Sequence, residues 1–259
     1  MNARKGRASF RFYAELNDHL PPEKKHRTLE KQFSVAPTVK DAIESFGIPH
    51  AEVELIAVNG ESVPFSRVLS DGDMVSVYPM FESLDIGSEV KIRRETLRQP
   101  KFVLDVHLGK LAAYLRMLGF DALYQSCFTD AQLMRISAAE HRILLTRDRG
   151  VLKHDAVTHG YWLRETDSRK QLIEVVRRFD LARLMQPFTR CMACNGLLED
   201  VGKEAARVSV PPRTIDLYNE FRRCAGCGRV YWKGSHYERM RSWIEASVRR
   251  VELRTDSSA

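Results

Sequence analysis

Two cysteine pairs, Cys191/Cys194 and Cys224/Cys227, constrain this chain more than any other feature it carries. Each pair has two residues between its thiols, the spacing at which a short knuckle can aim both sulfurs at one metal ion. Gly196 and Gly228 follow the pairs and ease the tight turns that such knuckles need. Four thiolates fill the tetrahedral sphere of Zn²⁺, so the pattern points to a structural zinc rather than a catalytic one, which keeps a position open. Disulfides are the competing use of four cysteines, and a chain in a reducing cytoplasm keeps its thiols free. The 29 residues between Cys194 and Cys224 exceed the roughly 15–20 of a minimal ribbon, which predicts an extra loop around Pro211-Pro212 between the knuckles. His236 becomes a ligand only if one of the four cysteines is not. Cys127, the fifth cysteine, is expected to be buried as a small hydrophobe.

At 259 residues the chain is longer than one core of about 100–150 residues requires, so several units are expected. Its longest apolar runs, such as Leu55-Ile56-Ala57-Val58, fall far short of the roughly 18 residues of a membrane span, and no apolar segment follows the basic start. The expected setting is the cytoplasm, without a membrane partner. The chain holds 41 Lys and Arg against 34 Asp and Glu, a surplus of +7. Residues 1–80 carry −1, whereas 81–185 and 186–259 carry +4 each. Such a surplus suits a polyanion such as nucleic acid, although any solvated face also carries Lys and Arg.

Along residues 1–80 apolar positions alternate at Phe10 and Phe12, then recur at helical spacing at Val39, Ala42, Ile43 and Phe46. Short runs follow from Val53 to Val58 and from Met74 to Tyr78, with turn signals at Asn59-Gly60 and Asp71-Gly72-Asp73. Strands around one helix, with AVNGESV and LSDGDMVSVYP in that order, resemble the β-grasp fold (α+β) of the ubiquitin-like sulfur carriers. Those carriers present a C-terminal Gly-Gly, whereas Pro79-Met80-Phe81-Glu82-Ser83 here runs on into the chain. Sulfur carriage is therefore disfavoured, and the expectation is an interaction or packing module that a protein partner can use. Residues 81–99 are polar and mixed in charge, a linker or bridging helix.

From Pro100 the pattern alternates strand and helix. Phe102-Val103-Leu104 is a buried-strand signal, Leu108, Leu111, Ala112, Leu115 and Leu118 keep helical spacing, and Gly119 supplies a stop. A strand at Ala122-Leu123-Tyr124, a helix from Ala131 to Ala139, a strand over Arg142–Thr146 and a strand at Tyr161-Trp162-Leu163 follow. A helix from Ser168 to Phe179, with Ser168 and Gln171 as capping box, closes the unit at about residue 185. Such alternation implies a parallel sheet covered by helices, with the cysteine-bearing tail as a third unit over 186–259.

Asp105 follows the first of these strands and Asp148 the third, and ligands of open parallel sheets bind beyond the carboxyl ends of strands. Asp130 opens the intervening helix, either as a third carboxylate on that edge or as a helix N-cap. Three carboxylates with no His or Cys among them form an oxygen-rich donor set for Mg²⁺ or Mn²⁺. Each acid alone also fits an ordinary turn or cap role.

The segments KFVLDVHLGKLAAYLRMLGFDALYQ, TDAQLMRISAAEHRILLTRDRGVL, RCMACNGLL and FRRCAGCGRVYWKGSHYERM closely resemble the bacterial PIN-like ribonucleases of the Mut-seven-C family, over essentially the whole chain. The resemblance implies an N-terminal ubiquitin-like domain, a PIN-like nuclease and a zinc ribbon, acting as an RNA phosphodiesterase whose acids hold divalent metal. Asp105, Asp130 and Asp148 fall where PIN-like enzymes place those acids. Many of them add a fourth acid soon after the third, where this chain has Arg149-Gly150, and Asp155 and Asp167 are substitutes or solvated loop residues. Lys110, Arg116 and Arg147 are candidates for holding phosphates, or exposed basic residues and no more. Around the second cysteine pair, Arg222, Arg223, Arg229, Tyr231, Trp232, Lys233 and His236 interleave charge with rings, either to track RNA or, through Tyr231 and Trp232, to form the ribbon's core. The expected function is metal-dependent RNA hydrolysis; the alternative is a non-catalytic RNA-binding or adaptor protein.

Overall fold

The computed structural model describes residues 6–79 and 100–255. The expected linker over 81–99 lies outside the described residues. Contacts group the described parts of 1–98, 137–144 and 148–162 into one compact unit, and those of 99–136, 145–147 and 163–259 into another.

In the first unit, β1 (Gly6–Phe12) pairs antiparallel with β2 (Thr28–Phe33) and parallel with β5 (Met74–Pro79). β3 (Val53–Val58) adds to β5, and the short β4 (Glu61–Ser62) adds to β3, for a sheet in the order β2-β1-β5-β3-β4. The helix α1 (Val39–Ser45) buries Val39, Ala42 and Ile43 against this sheet's core. Thr38 caps it, its hydroxyl accepting from the Asp41 N–H at 3.1 Å. Phe10 and Phe12 alternate inward and meet the Phe46 ring at 5.2 and 5.4 Å, and each fully buried aromatic contributes about 2–3 kcal/mol. Asn59 and Gly60 both take positive φ (53° and 88°), the paired left-handed geometry that closes a two-residue hairpin. The result is the expected β-grasp.

A second chain segment completes this unit. Its helix α4 (Arg149–Leu152) and strand β9 (Gly160–Trp162) pack against a 3-10 turn at His50–Glu52. A Cβ on Gly160 would lie 2.4 Å from Leu152 Cδ2 and 3.4 Å from Ala51 Cβ, so any larger residue would have to displace the buried Leu152 side chain. Lys153 Nζ donates to the Glu44 carbonyl at 3.3 Å, and Lys40 pairs with Asp155.

The central sheet runs β7-β6-β8-β9, with β6 at Lys101–Leu104, β7 at Asp121–Leu123 and β8 at Ile143–Thr146, and β6 pairs with β7 in parallel. Between them lie α2 (Gly109–Met117) and α3 (Asp130–Glu140), and α5 (Ser168–Arg178) follows β9. Residues 102–104 and 143–145 are apolar and fully buried, as strands covered on both faces must be. Gly119 stops α2 at φ +93°, where a Cβ would sit 2.2 Å from the Gln186 carbonyl oxygen. The cap of α5 differs from expectation. Asp167, not Ser168, accepts from the N–H groups of Arg169 and Lys170, since a carboxylate one residue earlier reaches both orphan donors.

The tail is an antiparallel sheet, β10 (Leu198–Val201), β11 (Phe221–Cys224) and β12 (Val230–Trp232). The long spacer between the cysteine pairs does not project as a loop. It folds into β10, α6 (Lys203–Ala206) and α7 (Pro212–Leu217), and buries Ala206, Val210 and Ile215 with Phe221 and Val230 as a core of its own. Pro211-Pro212 starts α7, where proline suits a helix N-terminus. A last helix, α8 (Ser235–Thr255), packs on α5, with the Trp243 ring 5.1 Å from Tyr114 and under the Arg169 guanidinium.

Candidate functional site

Asp105 ends β6. Its N–H donates to the Leu145 carbonyl at 3.1 Å, tying the end of β6 to the end of β8. Its carboxylate Oδ2 accepts from the Thr146 hydroxyl at 2.7 Å, and Thr146 is 1% exposed. A hydroxyl fixed in a buried strand end thus orients one carboxylate oxygen, and Oδ1 has no hydrogen-bond partner among the described residues. Thr146 was missed as a site residue; its signal was a lone hydroxyl closing the apolar run Ile143-Leu144-Leu145.

Asp148 lies two residues beyond β8 and caps α4, its Oδ1 accepting the Gly150 N–H at 2.7 Å. Arg147, between Thr146 and Asp148, is exposed. Asp130 is exposed at the first residue of α3, but it is not the cap. Thr129 is: its hydroxyl accepts from the Gln132 N–H at 3.3 Å while Gln132 Oε1 takes the Thr129 N–H at 2.9 Å. Asp130 consequently has no hydrogen-bond partner among the described residues, and the helix amides favour its charge. Asp155 pairs with Lys40, which pulls its carboxyl below the usual range, and Asp167 caps α5, so both have structural work.

Among the candidate phosphate holders, Lys110 is exposed on the first turn of α2. Arg116 is 4% exposed. Its Nε donates to the Ala122 carbonyl at 2.8 Å, and Nη1 donates to the carbonyls of Met192 at 3.1 Å and Ala193 at 2.9 Å. The guanidinium is therefore committed to the first cysteine knuckle and not turned to a phosphate. Arg116 is thus neither an exposed basic residue nor free for a phosphate, and the carbonyls of the cysteine knuckle explain why a cation is buried there.

The four cysteines are the one set of three or more His, Cys, Asp or Glu side chains, among the described residues, whose ligand atoms lie within 4.8 Å of one another. No set of carboxylates is gathered as closely among those residues. Cys191 and Cys227 sulfurs are 3.7 Å apart and Cys194 and Cys224 sulfurs 3.3 Å apart. A disulfide needs about 2.05 Å, whereas Zn–S bonds of about 2.3 Å in a tetrahedron place sulfurs about 3.8 Å apart. A Cβ on Gly196 would lie 2.8 Å from Cys224 Sγ, so glycine lets the knuckles close. Burial pushes the Cys191 thiol up, but hydrogen bonds from the Tyr231 hydroxyl and the backbone at Cys194 and Ala193 outweigh it and bring it down to about 6. Burial pushes Cys194 up to about 12. Burial also pulls Arg116 below the usual arginine range, and the charges of Cys191 and Cys194 oppose that pull. His236 is exposed and the thiol set is complete without it. Cys127 is exposed rather than buried, because its turn before α3 faces solvent.

Residues 100–244 match the Mut7-C RNAse domain. The chain belongs to the Mut7-C RNase family. Its front residues 6–85 match the Mut7-C ubiquitin domain. The solved structure of SAMP1 from Haloferax volcanii is similar over 29% of this chain and 97% of that one, at 16% identity and a TM-score of 0.23, at which the likeness carries no argument. No curated protein matches the chain.

The Mut7-C RNase domain makes this chain a nuclease hydrolase with RNA as the implied substrate, and its matched segment takes in the strand-end acids and all four cysteines. No helix among the described residues is long and apolar enough to cross a membrane. A groove of about 1030 Å³ runs along the ribbon of this Mut7-C RNase, walled by Phe188, Tyr218, Trp232 and Tyr237 together with Arg190, Arg222 and Lys233. Arg222 is paired with Asp200 and Lys233 with Glu220, so part of the groove's positive charge is already balanced. Trp232 also packs on the ribbon core and Tyr231 hydrogen-bonds Cys191, so these two rings serve the ribbon's core.

Proposed function

We propose that this Mut7-C RNase hydrolyses RNA phosphodiester bonds at the carboxyl ends of β6 and β8, with Asp105 and Asp148 as ligands for Mg²⁺ or Mn²⁺ and Asp130 as a further ligand or water-positioning base. The observation that carries the reading is the Thr146–Asp105 hydrogen bond, which pre-orients a carboxylate at adjacent strand ends of an RNase-family domain. Three carboxylates supply hard oxygen donors, the chemistry these cations take. When bound, such an ion lowers the pKa of a coordinated water and offsets charge on the leaving oxygen. The chain's own contribution is orientation. Thr146 holds Asp105 in one rotamer, the Gly150 N–H holds Asp148, and exposed Lys110 and Arg147 offer charge to flanking phosphates.

The thiol set suits one structural Zn²⁺, and the reducing cytoplasm, where we place the protein, keeps those thiols available. The ribbon groove, with its rings and cations, is the surface on which we place flanking RNA.

A Mn²⁺ titration against single-stranded RNA tests the reading. Cleavage is expected to rise with Mn²⁺, and Asp105→Asn to lower it by at least about 100-fold with an unchanged melting temperature. Retarded RNA without cleavage at any Mn²⁺ concentration would favour the non-catalytic adaptor instead.

A further inference from the structure

We propose that Glu52, in the ubiquitin-like part of the chain, is a positioning residue that holds the Asp148 turn and so tunes divalent-cation binding there. The proposal rests on the reading of Asp148 as a ligand.

The Glu52 side chain is 1% exposed, and a buried carboxylate is costly unless its oxygens are engaged. Oε1 accepts the Trp162 backbone N–H at 2.6 Å, and Oε2 lies 2.9 Å from Nε2 of the fully buried His19. The His19 ring packs on the Trp162 indole with centroids 5.1 Å apart. Trp162 is therefore gripped through both its backbone and its ring. The same indole carries the Arg149 guanidinium, 5.0 Å from its centroid. Arg149 is the first residue of α4, directly after Asp148, whose carboxylate caps that helix through Gly150. One continuous set of contacts thus runs from His19 through Glu52, Trp162 and Arg149 to Asp148.

The chemistry of Glu52 is more than packing requires. An apolar side chain in a well-packed site holds a strand end as well as a buried carboxylate does, and often better. What a carboxylate adds is direction, because each charge-assisted hydrogen bond fixes one angle as well as one distance. The missing side chain at Gly160 lets Leu152 and Ala51 close on β9, the strand that carries Trp162. With Trp162 fixed, Arg149 restricts how the α4 entrance can turn, and the cap leaves the Asp148 carboxylate in one orientation.

The test uses the full chain and Mn²⁺ alone, followed by electron paramagnetic resonance without RNA. Glu52→Gln preserves shape and one acceptor oxygen but removes the charge. The expected result is a Mn²⁺ dissociation constant about tenfold higher, faster amide exchange at Arg149–Leu152, and cleavage that recovers at saturating Mn²⁺. Arg149→Gln, an exposed change that spares the fold, is expected to move the same quantities in the same direction. Unchanged Mn²⁺ affinity in these variants overturns the positioning role when Asp148→Asn weakens binding. Faster exchange without a change in affinity also overturns it, since that result leaves Glu52 a packing residue only. If Asp148→Asn leaves Mn²⁺ binding unmoved, or the native chain binds none, the ligand reading itself falls and takes the proposal with it.

Discussion

The cysteine centre and the strand-end acids achieve order in opposite ways. The four sulfurs are drawn together by the backbone itself: two-residue knuckles, a glycine at the closest approach, and N–H groups of Gly226 and Cys227 directed at Cys224 Sγ at 3.3 and 3.4 Å. The acids are instead oriented one at a time, Asp105 by a threonine hydroxyl and Asp148 by its own helix N-terminus. A metal that holds a fold must find its ligands gathered, whereas carboxylates gathered without an ion would repel one another. On the proposed reading of both centres, structural and catalytic metal sites leave different traces, a cluster in one case and separately tethered oxygens in the other.

The contrast predicts a graded series of effects. Removing zinc with a strong chelator should be the most damaging, because structural Zn²⁺ binding is worth on the order of 10 kcal/mol in small zinc domains. The ribbon strands β10–β12 are expected to lose amide protection, followed by hydrogen exchange. Replacing Arg116 by Met comes next. It leaves the carbonyls of Ala122, Met192 and Ala193 without their donor and should cost about 3 kcal/mol in denaturant unfolding, with weaker zinc retention. If Arg116→Met instead lowers RNA affinity alone, the residue is a phosphate holder after all. The mildest change is Thr146→Val, which keeps the buried volume but removes the hydroxyl from Asp105. Cleavage should fall about tenfold, equivalent to about 1.4 kcal/mol, with Zn content unaltered.

Much of this arrangement was legible in residue order because local physics determines it. The cysteine spacing, the apolar run at Phe102–Leu104, the Asn59-Gly60 hairpin and the Gly119 stop each depend on a few neighbouring residues. β2 was harder to place: its half-buried inward positions are Leu29, Lys31 and Phe33, and a lysine at the middle one breaks the apolar alternation. The α5 cap was misread by one residue because Ser168 and Asp167 are both good caps, and only the geometry decides. Strand-end logic places Asp105 and Asp148 just beyond β6 and β8, as the structure has them, but it does not offer Thr146, whose partner lies 41 positions away. The burial of Arg116 depends on carbonyls 76 and 77 positions away, and periodicity holds no information about such partners.

The bond from Arg116 to the carbonyls of Met192 and Ala193 also has a thermodynamic reach. Arg116 sits on a helix of the nuclease sheet, so a ribbon that folds around zinc presents those carbonyls in place and the nuclease helix gains their hold. With Zn²⁺ in the thiol set, as proposed, ligand linkage would make free zinc a variable of the nuclease fold: above saturation, each tenfold rise would add up to about 1.4 kcal/mol to the stability of the coupled unit. A cell's zinc status would in that way be written into the lifetime of the enzyme, through a residue that is not one of the four thiols.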